Sequence, residues 1–286
     1  MGVVWICCSA GRAGIIGKKT LKTLARAGFQ GSLFVIVPHD EIATYTHALS
    51  ECDEPISCIL QGATRGLVNQ RKHARSLFPP GQEMVFIDDD ITAIKTKLSA
   101  APAEKIGAIH NVVDFCFDWL ACTGSLLWGV YPVANGLFMK QRICVGNCYV
   151  VGALYGIIND PRLEEPMVDE CEDYWRQLSE QAAGRPPLRF ECIGIETRYF
   201  KNPGGMQKDR KPEVRTSVIN TLVERYPAIV KWKTRKDGTP DLKFLQKPEY
   251  KPLLMAAPDV SGDQSIPVAA AAELSEQHAP VDPPPQ

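Results

Sequence analysis

Residues 9–20 read SAGRAGIIGKKT, between the apolar run VVWICC (3–8) and the helical pattern KKTLKTLARAG. A β-branched apolar run, a glycine-rich turn and then an amphipathic segment form the opening unit of an α/β nucleotide-binding fold. Two phosphate loops can be tested against it by counting. The pattern G-x-x-x-x-G-K-[ST] needs a glycine five positions before Gly17, where Arg12 stands. It also needs a magnesium-binding hydroxyl after Lys18, where Lys19 stands and Thr20 comes one residue late. The dinucleotide pattern G-x-G-x-x-G fails because Gly11, Gly14 and Gly17 are spaced by three. What remains is a first β–α loop of small residues with one arginine.

Working outward, SLFVIVP, PISCILQ and EMVFIDDD read as further strands, and EIATYTHALS and LVNQRKHARSLF as the helices between them. Such alternation predicts an α/β fold with a mostly parallel central sheet flanked by helices. The middle of the chain adds the helix IGAIHNVVDFCFDWLACTG, the strands SLLWGVYP, CYVVGALYGII and PLRFECIGIE, and the helix DECEDYWRQLSEQAAG. Further on, SVINTLVERYP reads as a helix and IVKWKTRKDGTPDLKFLQ as a hairpin turning at Asp237-Gly238. This body is expected to be one domain over residues 1–255. The Ala/Pro-rich stretch 256–286, with five acidic residues and no Lys or Arg, is expected to be a disordered tail.

The net charge of -1 over 286 residues conceals a segregation: residues 198–251 hold 14 Lys and Arg against 6 Asp and Glu. That basic region is where an acidic partner is expected to dock. The ten cysteines form no C-x-x-C pair, several lie in apolar runs, and there is no N-x-S/T sequon. They read as reduced thiols of an intracellular protein, cytoplasmic or nuclear. Cys144 and Cys148 have no second pair to complete a zinc site. No basic stretch precedes VVWICC as in a signal peptide, no apolar run approaches a bilayer's width, and Ile6 breaks the myristoylation pattern.

Three further stretches bear chemistry. MVFIDDD delivers Asp88, Asp89 and Asp90 to the C-terminal end of a strand, where open α/β sheets bind ligands. In extended chain Asp88 and Asp90 point to one side, about 7 Å apart, a spacing that can hold Mg²⁺ or Mn²⁺ against a diphosphate. A Walker B strand also ends in Asp, so a P-loop-type NTPase or kinase stays open on this evidence. DECEDYWRQL puts Glu172 and Asp173 in the first turn of a helix, as dipole-stabilised decoration or as a base for an acceptor hydroxyl. KNPGGMQKDRK (201–211) carries Lys208 and Arg210 in a basic loop suited to phosphates.

SAGRAG, PHDE, NQRKHAR, FIDDD and ECEDYW, in this order over residues 3 to 250, resemble the GT-A nucleotide-sugar glycosyltransferases. More narrowly, SAGRAG, LLWGVYPVAN, the ED helix and NPGGMQKDR followed by LVERYP are similar to the TET/JBP-associated glycosyltransferases. That family occurs in viral and eukaryotic genomes and is linked to sugar transfer onto hydroxymethylated pyrimidines in DNA. The resemblance implies a GT-A, Rossmann-like fold, a UDP-sugar donor, Mn²⁺ or Mg²⁺, 5-hydroxymethylcytosine in DNA as acceptor, and a setting that includes virus-infected cells. It implies that Ala10, Gly11, Arg12 and Gly14 line the uridine-diphosphate site, and that His39, Asp40 and Glu41 approach base and ribose. Asn69 and Arg71 would contact nucleotide or sugar, and Asp89 would belong to the same nucleotide site. Asp88 and Asp90 would position the metal, Asp173 or Glu172 would face the acceptor hydroxyl, and Lys208 and Arg210 would serve diphosphate or DNA. A late histidine often completes the metal site in these enzymes, yet His278 in the tail is the only histidine after His110. A degenerate glycosyltransferase fold that binds nucleic acid without catalysis is the non-enzymatic alternative.

Overall fold

The computed structural model describes residues 2–98, 102–197, 204–205 and 211–254. The tail from 256, Lys201, Lys208, Arg210 and the aromatics Tyr199 and Phe200 therefore lie outside the described residues.

The sheet is built on β1 (Val4–Cys8), which lies between β2 (Ser32–Pro38) and β4 (Glu83–Ile87), with β3 (Ser57–Ala63) beyond β2; all three pairings are parallel. Strand alternation sends Trp5 and Cys7 to one face, with Val85 and Ile87, and Ile6 to the other, with Met84 and Phe86. Both faces are covered, which is why these strands read as continuous apolar runs rather than alternating ones. Each fully buried side chain of this size contributes about 1.5–3 kcal/mol relative to exposure.

Past β4 the direction changes. β9 (Leu154–Ile158) runs antiparallel to β4 and to β7 (Leu127–Tyr131), and β7 is parallel to β10 (Leu188–Glu196). β10 then carries β5 (Ala93–Thr96) along one half and β8 (Arg142–Val145) along the other, both antiparallel. β6 (Glu104–Lys105) and β13 (Leu253–Leu254) finish the two edges. The expected parallel core is thus β3-β2-β1-β4, extended by a mixed half. Of the expected strand CYVVGALYGII only Leu154–Ile158 is strand. Residues 148–153 form a loop that carries Tyr149 toward the C-terminal ends of the parallel strands.

The first helical segment is α1 (Ala13–Ile16), a π turn (Gly17–Leu21) and α2 (Lys22–Arg26). It covers one face of the sheet with α5 (Ile109–Thr123), whose Val113, Phe117 and Leu120 reach the core. α3 (Ile42–Ser50) and α4 (Leu67–Ser76) complete the parallel half. A third apolar cluster joins α6 (Glu172–Ala182) to α7 (Pro212–Arg225) and to the hairpin β11 (Val230–Thr234) and β12 (Pro240–Phe244), through Trp175, Leu178, Ile219, Leu222 and Leu242. No helix among the described residues is long and apolar enough to cross a membrane, and all ten cysteines are free thiols.

Candidate functional site

A cleft of about 250 Å³ opens where β1 and β4 end, between the first loop, the turn after β4 and the start of α6. It gathers the carboxylates of Asp88, Asp89, Asp90, Asp169, Glu172 and Asp173 against the guanidiniums of Arg12, Arg65 and Arg71. A second hollow of about 290 Å³ is walled by Leu21, Leu49, Ile56, Cys58 and Leu60, and lacks convergent charge.

The acidic turn is shaped from a distance. Strand β4 ends at Ile87, and the π turn brings Thr20 against the next residues. The Thr20 hydroxyl donates to the Asp88 carbonyl at 2.7 Å and accepts from the Ile91 amide at 3.1 Å, while Thr23 donates to the Ile91 carbonyl at 2.9 Å. Thr20, one residue too late for a P-loop, fastens this turn instead. The extended geometry expected for Asp88 and Asp90 is therefore replaced by a fan. Asp88 opens to the cleft with its side chain 40% exposed, 3.9 Å from Arg71 Nη2. Asp89 accepts from Ser9 and Arg12, and Asp90 from Arg12 and Thr197.

The Asp88 carboxyl is pushed up to about 7, first by its low-dielectric surroundings, with Arg71 opposing and Asp90 and Asp89 adding to the rise. The folded chain thus holds this proton more tightly than the unfolded one. The associated stability is full below the ordinary carboxylate range and is lost as pH rises through about 7. Scanning fluorimetry of the ligand-free chain should show melting temperature falling between about pH 4 and 7 and levelling off above, and Asp88→Asn should flatten that fall. An unaltered slope in the variant would assign it to other groups.

The first loop is fixed on every side. Gln70 donates to the Ser9 carbonyl at 3.0 Å, Ser9 and Tyr45 share a hydroxyl hydrogen bond at 2.5 Å, and the Gly11 amide donates to Glu41 at 2.6 Å. The Gly205 amide donates to the Ala10 carbonyl at 2.9 Å, bringing the Gly204-Gly205 turn onto this loop.

The opposite wall is α6. Glu172 is buried, and its two oxygens take Arg71 and Arg176, whose guanidiniums both lie over the Tyr155 ring. Asp173 stands beside it at the cleft surface, accepting from the Tyr149 hydroxyl and from the Tyr174 amide at 2.9 Å. Asp169 accepts from the Val68 amide at 2.7 Å and so supplies the N-cap that α4 lacks in its own sequence.

Of the residues singled out from the sequence, Ala10, Arg12, Arg71, Asp88, Asp89, Asp90, Glu172 and Asp173 line this one cleft. Gly11 is the turn residue, at φ 65°, and Gly14 is exposed on α1. His39, Asp40, Glu41 and Asn69 are not among the lining residues. His39 packs against Gly62, where a Cβ would lie 2.5 Å from its Nδ1; Asp40 and Glu41 take Arg65 at 2.8 and 2.7 Å; and the Asn69 amide donates to the Arg65 carbonyl at 2.9 Å. Gln70, Asp169 and Tyr149 are cleft residues that the sequence reading did not reach. The spacing 67, 70, 71, 74 along α4, one buried helix face, is the signal that favours Gln70 over Asn69.

A divalent ion suits this donor set. Mg²⁺ and Mn²⁺ are commonly held by one or two carboxylates together with substrate phosphates, and Asp88 is a carboxylate turned to the cleft, with no cation nearer than Arg71 at 3.9 Å. Asp90, buried and accepting from Arg12 and Thr197, is the second candidate carboxylate. No third His, Cys, Asp or Glu joins them in a metal-binding cluster among the described residues.

Comparison with protein-family models and with curated proteins finds no match for the sequence. Solved structures do match. S. aureus TarS 1-349 in complex with UDP-GlcNAc gives a TM-score of 0.51 at 12% identity, over 78% of this chain and 66% of that one. A second structure of S. aureus TarS 1-349 gives 0.50 at 11%, over 78% and 65%. Glucosyl-3-phosphoglycerate synthase from Mycobacterium tuberculosis, in complex with Mn²⁺, UDP and glucosyl-3-phosphoglycerate, gives 0.46 at 12%, over 86% and 88%. The chain spans just under two thirds of the length of the TarS fragment. What it shares with that fragment is the fold: a GT-A-like mixed sheet with a parallel core flanked by helices.

Proposed function

We propose that the protein is a metal-assisted glycosyltransferase that uses a UDP-sugar and delivers the sugar to a hydroxyl, that of a 5-hydroxymethylpyrimidine in DNA. The observation that carries this reading is the opposition, in one cleft, of the acidic turn bearing Asp88 to the α6 wall bearing Asp173. TarS 1-349, whose fold this chain shares, was solved with UDP-GlcNAc, which supports the donor class. A divalent ion held by Asp88 and Asp90 would neutralise the leaving diphosphate. Ala10 and Arg12 line the donor end, and Arg71 stands between donor and acceptor walls. Asp173, set by Tyr149, is the group to take the acceptor proton, as an inverting displacement requires. Glu172 positions Arg71.

The DNA part of the reading rests on charge. The cleft is acidic, so DNA phosphates would stay outside it while the modified base enters, everted from its stack. The backbone has a surface on the hairpin: Lys231 and Lys243 face each other across β11 and β12, and exposed Lys233 follows. Among the described residues Lys231, Lys233 and Lys243 have no ion-pair partner. Like charges directly opposite destabilise a strand pair, and a polyanion relieves that. The hairpin joins the acceptor wall through the Tyr174 hydroxyl, which donates to Asp241 at 2.7 Å.

The test supplies the full chain with UDP-glucose or UDP-GlcNAc, Mn²⁺ and duplex DNA containing 5-hydroxymethylcytosine, and weighs the digested nucleosides. A sugar adduct is expected. Lys231→Glu with Lys243→Glu should lower DNA affinity about tenfold or more in low salt and spare UDP binding. No adduct with any donor, together with no UDP binding, would sink the assignment; transfer to another hydroxyl but never to DNA would sink its acceptor half.

A further inference from the structure

Asp89 and Asp90 already hold a cation. Arg12 Nη1 lies 2.9 Å from Asp89 Oδ1 and 3.3 Å from Asp90 Oδ2, with the Arg12 side chain only 13% exposed. The second Asp90 oxygen accepts from the Thr197 hydroxyl at 2.7 Å. Arg12 Nη2 reaches the Gly204 carbonyl at 3.4 Å, and Gly205 leaves the guanidinium its space, since a Cβ there would sit 2.9 Å from its central carbon. The first loop, the acidic turn and the Gly-Gly turn thus meet on one guanidinium. Asp88, by contrast, is turned to the cleft, with Arg71 no nearer than 3.9 Å.

A guanidinium and a hydrated divalent ion compete for the same carboxylate. The guanidinium is permanently charged and its planar fork matches carboxylates, but it matches phosphates equally well. A divalent ion needs close, well-directed oxygens and gives up its water reluctantly. With Arg12 in place, an incoming ion finds Asp88 open and Asp90 engaged. The diphosphate of a donor offers Arg12 an alternative partner of higher charge and offers the ion further oxygens.

We propose that Arg12 is the resident cation of the Asp89–Asp90 pair and that the donor's diphosphate draws it off, so that Asp90 becomes available to the divalent ion only as the donor arrives. This rests on the UDP-sugar reading above and adds a linkage to it. The chain without nucleotide holds Mn²⁺ weakly, and Arg12 is the residue that sets how strongly nucleotide and ion depend on each other.

The experiment titrates Mn²⁺ into the full chain, followed by the electron-spin-resonance signal of free Mn²⁺, with and without UDP. In Arg12→Met, Mn²⁺ alone should bind about tenfold tighter than in the wild type, and the tightening conferred by UDP should shrink by a similar factor, within the usual range of coupling between sites. Arg12→Lys, which keeps the charge, should stay close to the wild type. Gly205→Ala, which displaces the guanidinium without removing it, should move with Arg12→Met and keeps the question open if that variant fails to fold. Mn²⁺ binding no tighter in Arg12→Met and Gly205→Ala than in the wild type overturns the proposal. Failure of the donor reading looks different: no variant, nor the wild type, then binds UDP with Mn²⁺ present.

Discussion

Asp173→Asn is expected to lower kcat about 10²–10⁴-fold, the usual contribution of a positioned general base, while donor KM and melting temperature stay near the wild type. The asparagine keeps the shape of the side chain, with its oxygen to accept from the Tyr174 amide and its NH2 to donate to the Tyr149 hydroxyl, so packing in the third cluster is undisturbed. What is lost is the ability to take a proton. Glu172 next to it cannot substitute, because both its oxygens are committed to buried arginines. Single-turnover kinetics with saturating donor give the measurement. A rate within tenfold of the wild type would remove Asp173 from the base role.

Glu172→Leu carries the largest expected loss of stability. Arg71 and Arg176 are buried, and Glu172 is the carboxylate that both touch. Breaking a buried ion pair from one side leaves uncompensated charge and costs about 3–5 kcal/mol. At about 2–4 °C per kcal/mol for a domain of this size, the melting temperature should drop by roughly 6–20 °C. Replacing the charges together is far gentler, so Arg176→Met in the Glu172→Leu background should recover much of the loss. Thermal unfolding of the wild type and these two variants decides it, and an unchanged midpoint in Glu172→Leu would show that the arginines find other partners.

The parallel core was legible because each of its strands is a short apolar run closed by turn residues, and burial on both faces leaves that pattern intact. The location of the site was legible for a related reason: acidic residues at the end of a strand and at the start of a helix must lie at element ends, where clefts form. Strand direction was not legible, since Leu154–Ile158 has the same composition whichever way it runs against Glu83–Ile87. Nor was the fan of the three aspartates, which is set by Thr20 sixty-eight residues away. Tyr149 and Asp169 enter from loops, where no periodicity assigns a direction. His39, Asp40 and Asn69 came from positional resemblance, and the local packing turns them elsewhere.

The four parallel strands are contiguous in the chain, ending at Ile87, whereas the mixed half hangs on β10, which ends at Glu196. During synthesis the parallel half can therefore pair on the ribosome while the mixed half is still being made. At about 5–20 residues per second that interval is roughly 5–20 s. For the first part of it, until Leu154–Ile158 emerges, β4 has an open edge waiting for β9, which pairs on its other side with β7. The unpaired β4 edge of a nascent chain is thus the place for a chaperone to hold, or for a neighbouring copy to pair wrongly.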